Sequence, residues 1–411
     1  AAAGRPLRVA LAAPTGKAAA RLTEAVHGRA ADLDVSPAVR EAILRTDAST
    51  IHRLLGRRPG SNSRFRHDRS NQLPHQVVIV DETSMVSLSL MARLVEAVRP
   101  SARLVLVGDP QQLVSVEAGA VLGDIVGDAV HEGFDAAAQP ADSIAAGIVV
   151  LRHVHRFSGG VGDLARAVEH GDADGVVDLL RQAPEGLAWL DADAAASADA
   201  DEAIRRAVLG PATEVVEAAR DGDPRRALAA MQQVQLLCGH RRGPYGVATW
   251  RSRMESWLHD AVEGYLPHGW YAGRPLLVTE NDYGLGLFNG DTGVVVETAT
   301  GLQCAFERRG EIVLVSPGRL SAVETLHAMT IHKSQGSQFG EVVVVLPDET
   351  SPILTRELLY TAVTRAERSV TVVGTEAAVR AAVSRPVSRA SGLRDRLWNQ
   401  AAATEQKPTV P

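Results

Sequence analysis

Short runs of apolar, mostly β-branched residues recur along the chain, and each ends in a polar cluster. Val9 through Ala13 runs into Pro14-Thr15-Gly16-Lys17, residues 77–80 run into Asp81-Glu82, and residues 104–107 run into Gly108-Asp109. Further on, 148–151 precedes Arg152, 342–346 precedes Pro347-Asp348, and 370–373 precedes Gly374. Uninterrupted runs of this length fit strands covered on both faces, and stretches with helical spacing at 18–27, 87–98 and 355–366 lie between them. The pattern predicts an α/β fold with two groups of parallel strands. In such sheets ligands gather at the carboxyl ends of the strands, where these polar clusters fall.

The segment between the groups differs. Residues 159–235 are rich in Ala, Asp and Glu and read as helices and loops with surface charge, without functional signal. From Asn289-Gly290 to about Leu320 the pattern shortens to alternating strands with turns at Asn289-Gly290-Asp291, Ala299-Thr300-Gly301 and Arg308-Arg309-Gly310, which predicts a small inserted β-barrel. After about Ser384 the chain is polar and Ala-rich and is expected to fray. The expected divisions are 1–150, with a basic hairpin at about 56–76, then 151–288, an insertion at 289–322, a return at 323–384, and a tail at 385–411.

At 411 residues the chain is too long for one ordinary domain, and 45% hydrophobic residues suffice for packed cores. The net charge of −6 excludes a uniformly basic surface, so any nucleic-acid site must be a local basic groove. Cys238 and Cys304 are too few for a disulfide framework, no apolar run approaches the ~20 residues needed to span a bilayer, and no signal peptide opens the chain. A cytoplasmic protein without membrane contact is expected. Of 43 basic residues only three are lysines, Lys17, Lys333 and Lys407, and a lysine kept against that bias suggests a site that wants a compact ammonium. The first residue is Ala1 rather than Met.

Asp81-Glu82 directly after an apolar strand has the form of a Walker B site, in which one carboxylate holds Mg²⁺ and the other polarises the attacking water. Solvated acidic strand ends are common, so the pair gains weight only from its company. Gly108-Asp109-Pro110-Gln111-Gln112-Leu113 follows the next strand and brings an amide to the edge where a γ-phosphate would lie. Phosphoryl transfer also needs cations where charge builds, and arginines so placed supply ~10³–10⁵ in rate. Arg156 in His155-Arg156-Phe157 and Arg365 in the helical segment before the last strand are the candidates.

These residues carry a resemblance. In order along the chain, Leu11 to Ala19, Ser49 to Gly56, Asp81 to Met85, Gly108 to Gly119, His155 to Phe157, Thr330 to Ser337 and Tyr360 to Ala366 resemble motifs Ia, Ib, II, III, IV, V and VI of superfamily 1 DNA helicases. Within that group the chain is similar to the RecD family, the alpha subunit of exonuclease V that works with RecB and RecC; Leu285-Gly286-Leu287-Phe288-Asn289-Gly290-Asp291 is also typical of it. The resemblance implies two RecA-like motor domains with an SH3-like β insertion in the second, a 5′→3′ DNA helicase in double-strand break repair, ATP and Mg²⁺ as its cofactors, and RecB-like and RecC-like partners. Carried over by motif, Asp81 would hold Mg²⁺, Glu82 the lytic water and Gln112 the γ-phosphate. Arg156 and Arg365 would act as fingers, with His155 and Gly336 also at the nucleotide, in the cleft between the two sheets. Thr15, Lys17, Thr50, His52, Thr330, His332 and Lys333 would contact single-stranded DNA phosphates, though helix capping is an equal reading for Thr50 and Thr330. Arg57, Arg58, Arg64 and Arg66 in the basic hairpin would face DNA near the duplex junction; a bare charge run of this kind is more often a solvated loop.

One family feature is missing from these residues. A Walker A loop, Gly-x-x-x-x-Gly-Lys-[Ser/Thr], cradles phosphates with its backbone amides and reaches the β/γ oxygens with its lysine. Gly16-Lys17 is not that loop, since Leu11 stands in the first glycine's place and Ala18 in the hydroxyl's. In the family the loop precedes motif Ia by one helix, so it is expected upstream of Ala1, and the 411 residues alone are expected to be inactive. His155 stands where relatives often carry a tyrosine, and Gln338 replaces a glutamate usual in motif V. A stand-alone RecD-like helicase and a non-catalytic DNA- or partner-binding remnant are the alternatives.

Overall fold

The computed structural model describes residues 7–56, 64–114, 120–130, 139, 143–151, 159–194, 196–308, 310–387 and 392–398. The chain forms two compact units, residues 1–153 with 388–411, and residues 154–387.

The first unit is built on a four-stranded sheet. Its strands are β1 (Val9–Ala13), β2 (Ser49–Thr50), β3 (Val77–Val80) and β4 (Arg103–Leu106), in the order β2-β1-β3-β4 and all parallel. The register pairs Ala13 with Thr50, Ala12 with Val80 and Val80 with Leu106, so all four strands end along one edge. The helix Leu88–Ala97 starts at Ser87, whose hydroxyl accepts from the Leu90 amide, and buries Met91, Leu94 and Ala97, a spacing that keeps one face on the core. Ala10, Ala12, Val78, Val80, Ile51 and Leu55 fill the same core.

The predicted run 148–151 is not a strand. It follows the short turn Ile144–Gly147 as exposed chain, with Val149 80% and Leu151 88% accessible, and no ladder among the described residues includes it. An apolar run becomes a strand only where neighbours supply its hydrogen bonds. The tail also departs from expectation. Residues Leu393–Trp398 form a helix on the first unit, with Leu393 against the core and the Trp398 Nε1–H donating to the Asp124 carbonyl at 3.1 Å. Gly127, at φ 56°, lies directly under the Trp398 ring, where any Cβ would collide.

The second unit holds two sheets. The parallel one uses β5 (Leu187–Leu190), β6 (Val234–Cys238), β12 (Ala328–Thr330), β13 (Phe339–Val345) and β14 (Ala366–Val373), in the order β12-β6-β13-β14-β5. Between β6 and β12 the chain forms β7 (Pro275–Val278), β8 (Thr292–Thr298), β9 (Gly301–Arg308), β10 (Glu311–Val315) and β11 (Val323–Thr325), an antiparallel sheet ordered β10-β9-β8-β7-β11. β5 and the start of β6 lie inside the stretch read from sequence as helices and loops. β5 is a four-residue strand flanked by Ala, Asp and Glu, too short to show a period. The turns at Gly290, Gly301 and Gly310 fall where the sequence places them, each with positive φ. The sheet also recruits β7 and β11 from outside the expected insertion, and among the described residues no ladder joins β10 to β11, so it is an open sheet rather than a closed barrel.

The helix Val247–Ala261 sets Trp250, Met254, Trp257 and Leu258 into the unit's core. Both cysteines are buried free thiols, and burial raises both, Cys304 to about 12, which leaves them protonated and inert. Among the described residues no helix is long and apolar enough to cross a membrane.

Candidate nucleotide and nucleic-acid site

In the first unit the predicted residues collect on one sheet edge. β3 carries Asp81 and Glu82 out of the sheet: the Asp81 amide donates to the Ala12 carbonyl at 2.9 Å, and the Asp81 Oδ1 accepts from the Glu82 amide at 2.8 Å. Glu82 adopts φ 51° and ψ 40°, a left-handed conformation that costs a non-glycine residue about 1 kcal/mol or more and tends to occur at working sites. The turn Thr83–Met85 follows, pinned by the buried Thr83: its amide donates to the Val107 carbonyl and its hydroxyl to the Val80 carbonyl. Gly108, at the end of β4, approaches this turn so closely that a Cβ would lie 3.0 Å from the Thr83 nitrogen and 3.2 Å from that of Ser84. The glycine is thus needed for space, and it couples the Asp109–Gln112 loop to the acidic pair.

Asp109 organises that loop, accepting from the Gln111 amide at 2.9 Å and from the Gln112 side chain at 3.1 Å. Gln112 is 7% exposed, and its Oε1 is buried without a hydrogen-bond partner, as is the Ser84 hydroxyl. Buried unpartnered polar atoms are costly; the others among the described residues belong to His75, Arg205 and Trp250. Among the described residues no group of three or more His, Cys, Asp or Glu could by itself hold a metal. A single carboxylate at a strand end fits Mg²⁺, which commonly takes one or two carboxylates and completes its shell with phosphate oxygens and water.

Three threonines share one device. Thr15, after β1, caps the helix Gly16–Ala30, accepting from the Ala18 amide at 3.1 Å; Thr50, ending β2, caps Ile51–Leu55, accepting from the Arg53 amide at 3.2 Å. Thr330, ending β12 in the second unit, caps the turn Ile331–Ser334, accepting from the Lys333 amide at 3.2 Å. Capping does not spend the whole hydroxyl, because its O–H can still donate. None of the three first turns carries an acidic residue; Lys17 lies in the first turn of its helix, while His52 and Arg53, and His332 and Lys333, fall in the last turn of their short elements, where cations are favoured.

In the second unit Arg365 is not presented to solvent. It is 2% exposed, and its guanidinium donates to the Thr361 carbonyl at 3.1 Å, the Ser337 carbonyl at 3.2 Å and the Thr364 hydroxyl at 3.3 Å. It therefore ties the helix Arg356–Val363 to the loop after Gly336, which turns at φ 70°. Arg64 and Arg66 are exposed; the chain folds back there, with the Arg66 amide on the Gly56 carbonyl at 2.8 Å and Phe65 buried against His52. Arg57, Arg58, His155 and Arg156 lie outside the described residues.

The structure adds residues that the sequence reading missed. A cavity of about 730 Å³ opens at the carboxyl ends of β6 and β12, lined by His240, Arg241, Arg242, Arg251, Thr330 and Lys333, with Glu324 opposing them. Its loop is firm: the His240 and Arg241 carbonyls accept from the Val247 and Ala248 amides, and His240 Nε2 lies 2.9 Å from the Ser351 hydroxyl. His240-Arg241-Arg242 follows an apolar strand in the manner of the other clusters, a signal present in the sequence.

Comparisons with known proteins fix the class. The family model described as "AAA domain" matches residues 1–118, and that described as "UvrD-like helicase C-terminal domain" matches residues 325–373. The first covers all four strands of the first unit's sheet and the second covers β12, β13 and β14, and together they define a RecA-like helicase core. The chain is 52% identical over 396 residues to the RecBCD enzyme subunit RecD of Mycolicibacterium smegmatis, covering 96% of this chain and 67% of that protein. It is 54% identical over 398 residues to the RecBCD enzyme subunit RecD of Mycobacterium tuberculosis, covering 96% of this chain and 65% of that one. The ATP-dependent RecD2 DNA helicase of Deinococcus radiodurans is 32% identical over 371 residues, 88% of this chain and 42% of that protein. The chain belongs to the RecD family, and it spans about two thirds of the length of the RecD subunits it matches.

Proposed function

We propose that this chain supplies most of the motor of an ATP-dependent 5′→3′ DNA helicase subunit, acting in the cytoplasm in double-strand break repair with RecB-like and RecC-like partners. Polarity and partners rest on the family alone. The observation that carries the DNA reading is the repeated threonine-capped start with basic residues beside it and no acid in its first turn, found after β1, β2 and β12. Such starts offer amide N–H groups, a hydroxyl and a positive charge to a phosphate, which positions a strand without reading its sequence, as a translocating motor requires. Thr15, Lys17, Thr50 and His52 in one unit, and Thr330, His332 and Lys333 with Arg241, Arg242 and Arg251 in the other, form this DNA-binding set. Arg64 and Arg66, with Arg57 and Arg58, join it at the duplex junction.

For the nucleotide, Asp81 would hold Mg²⁺, which when bound neutralises charge on the phosphate oxygens. Glu82 orients and deprotonates the attacking water, and the Gln112 amide meets the γ-phosphate, giving its orphaned Oε1 a partner through water. Arg365 supplies positive charge by exchanging the Ser337 carbonyl and the Thr364 hydroxyl for phosphate oxygens; Arg156, Gly336 and His155 complete the family's nucleotide set.

The test is equilibrium binding of labelled oligothymidylate as a function of salt. Lys17→Ala and Lys333→Ala should each weaken binding similarly for every sequence and reduce the slope of log K against log [salt] by about 0.7, the value for one phosphate contact on a single strand. Unchanged affinity and slope in both variants would rule this track out.

A further inference from the structure

The basic cavity of the second unit contains one acid, and its position is informative. Glu324 sits on β11, paired with Leu277 of β7, so it belongs to the small antiparallel sheet rather than to the parallel sheet that carries the cations. One of its oxygens, Oε2, lies 2.8 Å from the Lys333 ammonium, and the other, Oε1, lies 3.9 Å from the Arg241 guanidinium. The carboxylate thus spans a cation after β12 and a cation after β6. Two anionic oxygens bridging two cations is also what the non-bridging oxygens of a phosphodiester would do there. Arg242 and Arg251 line the same cavity, and no ion pair is found for either among the described residues.

Resting on the reading of this cavity as part of the DNA track, we propose that Glu324 is an internal competitor for the DNA phosphate. It occupies Lys333 and Arg241 when no strand is bound and must give them up when one enters. The exchange lowers the net gain from each contact, so the grip is strong enough to form and weak enough to release as the strand advances. Because Glu324 and Lys333 lie on different sheets, a shift of the antiparallel sheet against the parallel one would change which anion the lysine holds. The pair is half-exposed, with side-chain accessibilities of 30% for Lys333 and 50% for Glu324, so the exchange takes place within reach of water and carries a modest energy.

The experiment measures oligothymidylate binding by the full 411-residue chain, using fluorescence anisotropy over a salt series, for wild type, Glu324→Gln and Arg242→Ala. Glu324→Gln keeps the side chain's size and should tighten binding about two- to fivefold at low salt, the worth of an exposed ion pair. It should also steepen the salt slope by up to about 0.7. Arg242→Ala, which does not touch the Glu324 pair, should weaken binding. If Arg242→Ala weakens binding while Glu324→Gln leaves it unchanged or weakens it, the competitor role is wrong and the DNA groove stands. If neither substitution changes affinity, the groove is not the DNA site and both readings fall.

Discussion

Mixed with Mg²⁺-ATP and oligothymidylate, the 411-residue chain will hydrolyse ATP at no more than the background rate. Asp81, Glu82 and Gln112 can act only on a γ-phosphate that is held in line, and in P-loop enzymes the holding is done by backbone amides of a glycine-rich loop and its lysine. No such loop occurs between Ala1 and Pro411, and Gly16-Lys17 has Leu11 and Ala18 in the places of the loop's first glycine and its hydroxyl. Removal of one preorganised donor commonly costs ~10²–10³ in rate, so loss of the whole cradle should cost at least that. Joining the corresponding upstream segment of a mycobacterial RecD should restore DNA-stimulated turnover, read as phosphate release. Turnover by the unextended chain at a rate comparable to that joined form would show that another group holds the phosphates.

The second large effect concerns stability. His327 is 8% exposed at the start of β12, near the Tyr265 hydroxyl at 3.4 Å. Burial, with help from Arg251 and Arg274, holds its imidazole down to about 3 against an ordinary 6.5. With the native value below the unfolded one, the unfolded chain takes up a proton below pH 6.5 that the native chain refuses. Stability is therefore full above 6.5 and falls as pH drops toward 3, by about 1.4 kcal/mol per pH unit within that window. The partly exposed carboxylates of Glu214, Asp348 and Glu376, lowered by hydrogen bonds, add to the loss only once pH falls below their ordinary range near 4. Glu255, raised by burial, acts in the opposite sense, and His75, lowered mainly by burial, acts in the same sense as His327, so the net slope above pH 5 combines all three. Urea unfolding followed through the buried Trp250 and Trp257 should show the midpoint falling between about pH 6.5 and about pH 5 in wild type, and a much flatter profile in His327→Gln. Equal slopes in the two proteins would assign the acid sensitivity elsewhere.

Much of the fold was legible because parallel strands buried on both faces are written as continuous apolar runs. β1 and β3 match the runs read from sequence, β4 is displaced by one residue, and β13 and β14 begin three and four residues before their runs. The same rule failed at 148–151, where Val149 and Leu151 are exposed, because a run of apolar residues does not encode whether neighbouring strands are present to pair with it. It also failed at β5, whose four residues are too few to stand out from Ala- and Asp-rich surroundings. The docking of Trp398 over Gly127 depends on a contact between residues far apart in the chain, which no local pattern announces.

At the site, the threonine caps and the acidic pair were visible as polar residues at strand ends, and the structure adds the reason Gly108 must be a glycine. The burial of Arg365 and of the Gln112 amide was not visible, since exposure is decided by packing. Arg241 and Arg242 carry the same strand-end signal as the others, but the helical segment before β6 obscures that strand in the sequence.

Glu82 is the residue on which the motor chemistry turns. In the chain extended by its family's phosphate-binding loop, phosphate release and oligothymidylate binding should be measured side by side for wild type and Glu82→Gln. Glu82→Gln should bind DNA as tightly as wild type and lose turnover by about 10² or more, the range for removing a general base. Turnover within a few-fold of wild type in Glu82→Gln would contradict that role.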